Sequence, residues 1–150
     1  MVSILRTTST NPHFQHLVSL LDHDLAIRNG DENAFFAQFN KINHIHHVVV
    51  AYHGDEPVGC GAIKEFSPQA MEVKRMYVLP AYRGRGIASQ MLATLEGWTR
   101  ELGYTTCVLE TGLMLPEAIA LYTKLQYPRI PIYGQYAGVA NSVCFQKDLA

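Results

Sequence analysis

Arg83-Gly84-Arg85-Gly86 is the part of this 150-residue chain best suited to chemistry with an anion. Glycine lets a ligand approach the backbone closely, and a helix starting just beyond offers N–H groups with no intrahelical partner. The helix macrodipole adds roughly half a positive charge at that end, so a phosphate between Gly84 and Ala88 would be stabilised. Arg83 and Arg85 bring planar guanidinium groups, which suit phosphate oxygens better than lysine would. A solvated loop with a tight turn is the plainer alternative.

The flanking elements must position these residues. Before them, Met71 to Val78 alternates as a strand, with Met71, Val73 and Arg75 on one side and Glu72, Lys74, Met76 and Val78 on the other. The alternation is imperfect. After them, Ile87, Met91, Leu92, Leu95 and Trp98 recur at helical spacing, predicting a helix from about Gly84 to Leu102, closed by Gly103. Thr105 to Glu110 then reads as a buried strand. This strand–helix–strand unit predicts a right-handed crossover between parallel strands.

A dinucleotide fingerprint is a rival for the same glycines. Gly84-x-Gly86-x-x-Ser89 imitates Gly-x-Gly-x-x-Gly, and Glu110 stands where a ribose-binding acid belongs. Against it, the third glycine is Ser89, Pro80 intervenes after the strand, and the N-terminal part does not alternate strand with helix. A P-loop fails for want of Gly-Lys-Ser/Thr. His44-Ile45-His46-His47 invites a metal, but no ligand-spaced partner stands nearby, so a polar strand edge or loop is expected and no metal. His13, His16 and His23 read as partly exposed helix positions.

Bulk composition narrows the partners. Hydrophobic residues make up 48%, charged residues 17%, and the net charge is −1, so nothing draws the chain to nucleic acid or to an anionic membrane. The start lacks a signal-peptide pattern and no run of about 18 apolar residues occurs, which predicts a cytoplasmic protein without a membrane partner. Cys60, Cys107 and Cys144 sit in separate apolar runs and are expected to be buried free thiols. The length predicts one domain, residues 1–150.

Along the chain, Val2 to Arg6 suits a first strand. Asn11-Pro12 caps a helix whose apolar stripe is Phe14, Leu17, Val18, Leu21, Leu25 and Ile27, ending near Asn29-Gly30. A second helix is expected from Asp31 to about Asn40. Val48 to Tyr52 and Val58 to Ile63 form a hairpin, and the strand from Met71 extends it to a meander. The glycines at 59 and 61 permit close backbone approach. Pro116 starts a short helix bearing Ala118, Leu121, Tyr122 and Leu125, and Ser142 to Gln146 is a last strand.

Arg83-Gly84-Arg85-Gly86-Ile87-Ala88 resembles the Arg-x-x-Gly-x-Ala signature of the GNAT superfamily of acetyl-coenzyme A dependent N-acetyltransferases. Val78-Leu79-Pro80 is similar to its strand-to-loop junction. Glu117 to Tyr127 is similar to its late helix, with Ala118 and Tyr122 in place, Leu115 where asparagine is common and Gln126 where glycine is usual. The likeness runs from about Val48 to Tyr127, and the tail looks like that of small bacterial members.

The resemblance implies an α+β, three-layer fold: a mixed, mostly antiparallel twisted sheet of about six to seven strands, helices on both faces, splayed between the central parallel strands. It implies acetyl-CoA as cosubstrate, its pyrophosphate held at Arg83, Gly84, Arg85, Gly86, Ile87, Ala88 and Ser89, and its pantetheine arm by the backbone of Met76, Tyr77 and Val78. Acetyl transfer needs a deprotonated amine, a stabilised oxyanion and a proton for the departing thiolate. Tyr122 would supply that proton, the plainer alternative being an aromatic anchor. Glu72 and Glu110 are the candidate bases, directly or through water, or else salt-bridged structural residues. Arg28, Tyr133 and Tyr136 are expected around the acceptor, which is a small-molecule amine or a protein or peptide amine. The tail aromatics suit a homodimer contact equally well. A coenzyme-binding sensor of the same fold, without catalysis, is the alternative function.

Overall fold

The computed structural model describes residues 2–30, 45–113, 115–134 and 141–149. The helix expected over Asp31 to Asn40, His44 and Tyr136 lie outside them. The elements are β1 Val2–Thr7, α1 Pro12–Asn29, β2 His47–His53, β3 Glu56–Glu65, β4 Ala70–Val78, α2 Ile87–Glu101, β5 Thr106–Gly112, α3 Pro116–Lys124, β6 Arg129–Ile130 and β7 Ser142–Asp148. The seven strands form one sheet in the order β1-β2-β3-β4-β5-β7-β6. Every pairing is antiparallel except that of β4 with β5. This is the mixed α+β sheet expected, and it excludes the doubly wound dinucleotide fold, whose strands run mostly parallel.

The sheet is covered on both faces. On one, Phe14, Leu17 and Val18 of α1 pack on Val48, Val50, Cys60 and Ala62. On the other, Ile87, Met91, Leu92 and Leu95 of α2 join Val49, Val58, Ile63 and Val73. Ile27 departs from the expected stripe, being 69% exposed beyond the part of α1 that meets the sheet. The three cysteines are buried and free. Among the described residues, no helix is long and apolar enough to cross a membrane.

The uneven alternation of β4 has a single cause. Arg75 takes a left-handed backbone, φ 59°, where Lys74 pairs Ala62 and Tyr77 pairs Cys60 with one residue of β3 between them against two of β4. Such a bulge flips every side chain beyond it relative to a regular strand. Met76 and Val78 therefore turn to the α2 face with Met71 and Val73, while Arg75 turns to α1, reversing the expected assignment of these three. Gly61 lies opposite the bulge, where a Cβ would collide with the Met76 thioether and come 3.2 Å from Leu95 Cδ1.

The two long helices begin differently. The Asn11 side chain accepts from the N–H groups of His13 (2.9 Å) and Phe14 (3.1 Å), capping α1. The second helix starts at Ile87 rather than Gly84, and its cap is Gly86 at φ 79°, with no side chain bonded to the free N–H groups.

α3 ends in a Schellman motif. The Tyr127 N–H donates to the Tyr122 carbonyl (3.0 Å) and the Gln126 N–H to that of Thr123 (3.1 Å), with the rings of Tyr122 and Tyr127 5.9 Å apart. Gln126 holds the left-handed position, φ 67°. A residue with a Cβ is strained there. Gln126→Gly is expected to raise stability by about 0.5–1 kcal/mol, the strain relief exceeding glycine's entropy cost. A higher urea midpoint at unchanged slope would show it.

Candidate active site

β4 and β5 pair only at Ala70 with Thr106, Met71 with Cys107 and Glu72 with Val108. From Val73 onward the strands part, so backbone N–H and C=O groups along that side of β4 need other partners. The gap opens on both faces of the sheet. Toward α2 lies a cleft of about 380 Å³, and toward β5 and the first half of β4 a smaller chamber of about 140 Å³. Six residues line both, Leu21, Leu25, Met76, Leu115, Ala118 and Tyr122, so the two spaces meet at Met76 and Tyr122.

The larger cleft collects most of the predicted coenzyme residues: Met76, Tyr77, Val78, Arg83, Gly84, Gly86, Ile87, Ala88 and Ser89 all line it. Gly84 and Gly86 both have φ 79°, and a Cβ at either would meet nothing, so the turn encloses open space. The first turn of α2 carries no acidic residue. An uncapped helix start, an open turn and no opposing carboxylate together fit a bound anion. Arg83 donates from Nε to the Val78 carbonyl (2.9 Å), which ties the turn to the end of β4. Its guanidinium also lies 5.6 Å from the Tyr77 ring centre. Arg85 stacks on Tyr82 at 5.0 Å and does not line the cleft.

Tyr122 is buried, and burial alone pushes its phenol pKa upward. Its hydroxyl has no hydrogen-bond partner among the described residues. It is a neutral donor at the junction of the two spaces.

Glu72 and Glu110 both line the smaller chamber, in different states. Glu72 is engaged at both oxygens: Lys74 Nζ stands 3.4 Å from Oε1, and the Tyr133 hydroxyl donates to Oε2 at 2.7 Å. Among the described residues, Glu110 forms no ion pair. The Ser142 hydroxyl donates to its Oε2 at 2.9 Å, and burial pushes its pKa up to about 7 against the lowering effects of Ser142 and Lys74. Arg75 reaches back to Asp22 on α1.

Arg28 and Tyr133 stand behind the lining. Arg28 joins α1 to α3 through Glu117, which lines the larger cleft, and Tyr133 acts through Glu72. Ser142, Leu21 and Leu25 escaped the sequence reading. Only the register of β5 with β7 brings Ser142 to Glu110, and the leucines were visible merely as core positions of a helix. His47 packs edge-on to Trp98 at 4.9 Å, and no metal-ligand cluster occurs among the described residues.

The parted strand, the open glycine turn and the uncapped helix start line one cleft that suits an anionic ligand. The Acetyltransferase (GNAT) family model matches residues 13–127, and the chain belongs to that family. An acyl-CoA cosubstrate follows from that membership. It is 41% identical over 85 residues to YjgM of Escherichia coli (strain K12), named as an uncharacterized N-acetyltransferase, covering 55% of this chain and half of that protein. It is 35% identical over 102 residues to the IAA acetyltransferase of Azospirillum brasilense, 67% of each chain. A solved structure assigned as an acyl-CoA N-acyltransferase from Klebsiella pneumoniae subsp. pneumoniae MGH 78578 superposes with a TM-score of 0.84 at 28% identity, covering 100% of this chain and 99% of that one.

The state of Glu110 has a thermodynamic consequence. Its folded pKa lies above the usual carboxylate value, so between about 4.5 and 7 the folded state binds more protons than the unfolded state, and stability falls as pH rises through that window. Glu110→Gln removes this loss. Its melting temperature relative to the native protein is expected to be higher at pH 8 than at pH 5, by a few degrees in thermal unfolding. An equal difference at the two pH values would contradict the assigned burial effect.

Proposed function

We propose that this protein is an N-acetyltransferase that moves an acetyl group from acetyl-CoA to a primary amine by direct attack in a ternary complex. The observation that carries this is the meeting of two spaces at Met76 and Tyr122, one ending at the α2 turn and the other holding Glu110. A thioester reaching from the turn along β4 would end at that junction, and an amine entering past Glu110 would meet it there.

Each chain residue has a defined task in this mechanism. The turn at Gly84 and Gly86, with Arg83, holds the pyrophosphate through N–H groups and charge. The unpaired side of β4 at Met76 to Val78 binds the pantetheine arm and polarises the thioester carbonyl, as an added strand would. Glu110 takes the first proton from the ammonium, directly or through water, and passes it to solvent. The nitrogen–carbon bond forms and the carbon–sulfur bond breaks. Tyr122 gives its proton to the departing sulfur and regains one from the amine nitrogen, so the reaction releases one proton overall. Glu110 is favoured over Glu72 because Glu72 is held between Lys74 and Tyr133. The chemistry needs no metal, and we place it in the cytoplasm.

Free-thiol release tests these roles. Tyr122→Phe is expected to lower kcat by about 10- to 100-fold with coenzyme affinity nearly unchanged. Unaltered turnover would remove Tyr122 from its role, and failure to acetylate any amine would favour a coenzyme-binding sensor. The native kcat/KM should fall as pH drops below about 7, where Glu110 becomes protonated, and Glu110→Gln should lose that limb.

A further inference from the structure

Arg75 is a costly residue with no task in the mechanism above. Its side chain is 2% exposed, its backbone is left-handed, and it lines the chamber that holds Glu110. Its Nε is the buried side-chain polar atom without a hydrogen-bond partner among the described residues. Its one ion pair among the described residues, Nη2 with Asp22, reaches a carboxylate that is 52% exposed and shared with solvent. A surface aspartate contributes little to stability, so it does not account for a strained and partly unsatisfied guanidinium.

The other charges of the chamber are committed or differently placed. Lys74 is matched by Glu72, which also receives the Tyr133 hydroxyl. Among the described residues lining the chamber, this leaves Arg75 as the cation with an unused donor and Glu110 as the carboxylate without an ion-pair partner. They stand on the two strands that part, Arg75 three positions beyond the last pair on β4 and Glu110 two beyond it on β5. A guanidinium fork matches a carboxylate through two parallel N–H donors. A volume of about 140 Å³ suits a small molecule.

We propose that the acceptor is a small amine bearing a carboxylate, of amino-acid size, whose carboxylate pairs with Arg75 while its amine faces Glu110. The amine half rests on the transfer reaction proposed above; the carboxylate half is a statement about binding and is tested without turnover.

The test uses matched pairs, free amino acids against their amides and against dipeptides with the same first residue. Binding is measured calorimetrically on the coenzyme A-loaded protein, and transfer by thiol release with acetyl-CoA. At least one free acid is expected to surpass its amide by about tenfold or more in both measurements, because the amide leaves the guanidinium unmatched. Arg75→Gln should abolish that preference by weakening the acid alone. Asp22→Asn, which removes the competing carboxylate, should strengthen binding of the acid severalfold and leave the amide unchanged. Equal use of acid and amide across the panel, or preference for the dipeptides, overturns the proposal. If Arg75→Gln does not fold, an unchanged acid-to-amide ratio in Asp22→Asn overturns it equally. Arg75-dependent binding of an acid with no transfer to any amine would leave the carboxylate site standing and remove the acetyltransferase function.

Discussion

The parting of β4 from β5 after three residue pairs is the constraint on which the rest of this structure depends. Parallel strands gain a hydrogen bond with nearly every residue they continue together, so an early separation must be imposed. On β4 the bulge at Arg75 follows three positions after the last pair. A left-handed residue adds local twist and reverses the facing of every side chain beyond it, which carries Met76 and Val78 to the α2 face. On the other strand, β5 keeps its partner β7 through all seven residues and does not follow. The gap between them exposes the polar backbone of β4 and is lined by Glu72, Lys74 and Arg75 of that strand and Glu110 of β5.

Helix termini complete the site around that gap. The start of α1 is satisfied by Asn11 and turned to structural use, whereas that of α2 is left open at Gly86 and faces the larger cleft. At the far end, the Schellman cap of α3 holds Tyr122 and Tyr127 in ring contact, and Tyr122 lines both the cleft and the chamber. Gln126 accepts a conformation that glycine would adopt more easily, so this cap forms against a local preference, with tertiary packing making up the difference.

Charges are apportioned by the same geometry. Glu72 and Glu110 are two carboxylates in one chamber, and their neighbours give them different chemistry: a lysine and a phenol hold the first, while a single hydroxyl meets the second, which is half-buried. Burial without a cation is what moves a carboxylate toward neutral pH.

The order of strands and helices was legible in the sequence because short-range rules specify it. Apolar runs bounded by turn residues marked β2, β3 and β5, helical spacing marked α2, and Asn11-Pro12 and Pro116 marked helix starts. The two glycines of the turn were legible for the same reason, since φ 79° at Gly84 and Gly86 is a local property that few other residues tolerate. The facing of Arg75, Met76 and Val78 was not, because a bulge depends on the partner strand, here on Gly61 leaving room for Met76. Nor was the pairing of Ser142 with Glu110, which are 32 residues apart and meet only through the register of β5 with β7. By itself, then, the sequence determined which segments are helix or strand and where an anion could sit. The tertiary structure decided which carboxylate is free to act and which arginine is left with unused donors, because burial and long-range register are properties of the folded chain as a whole.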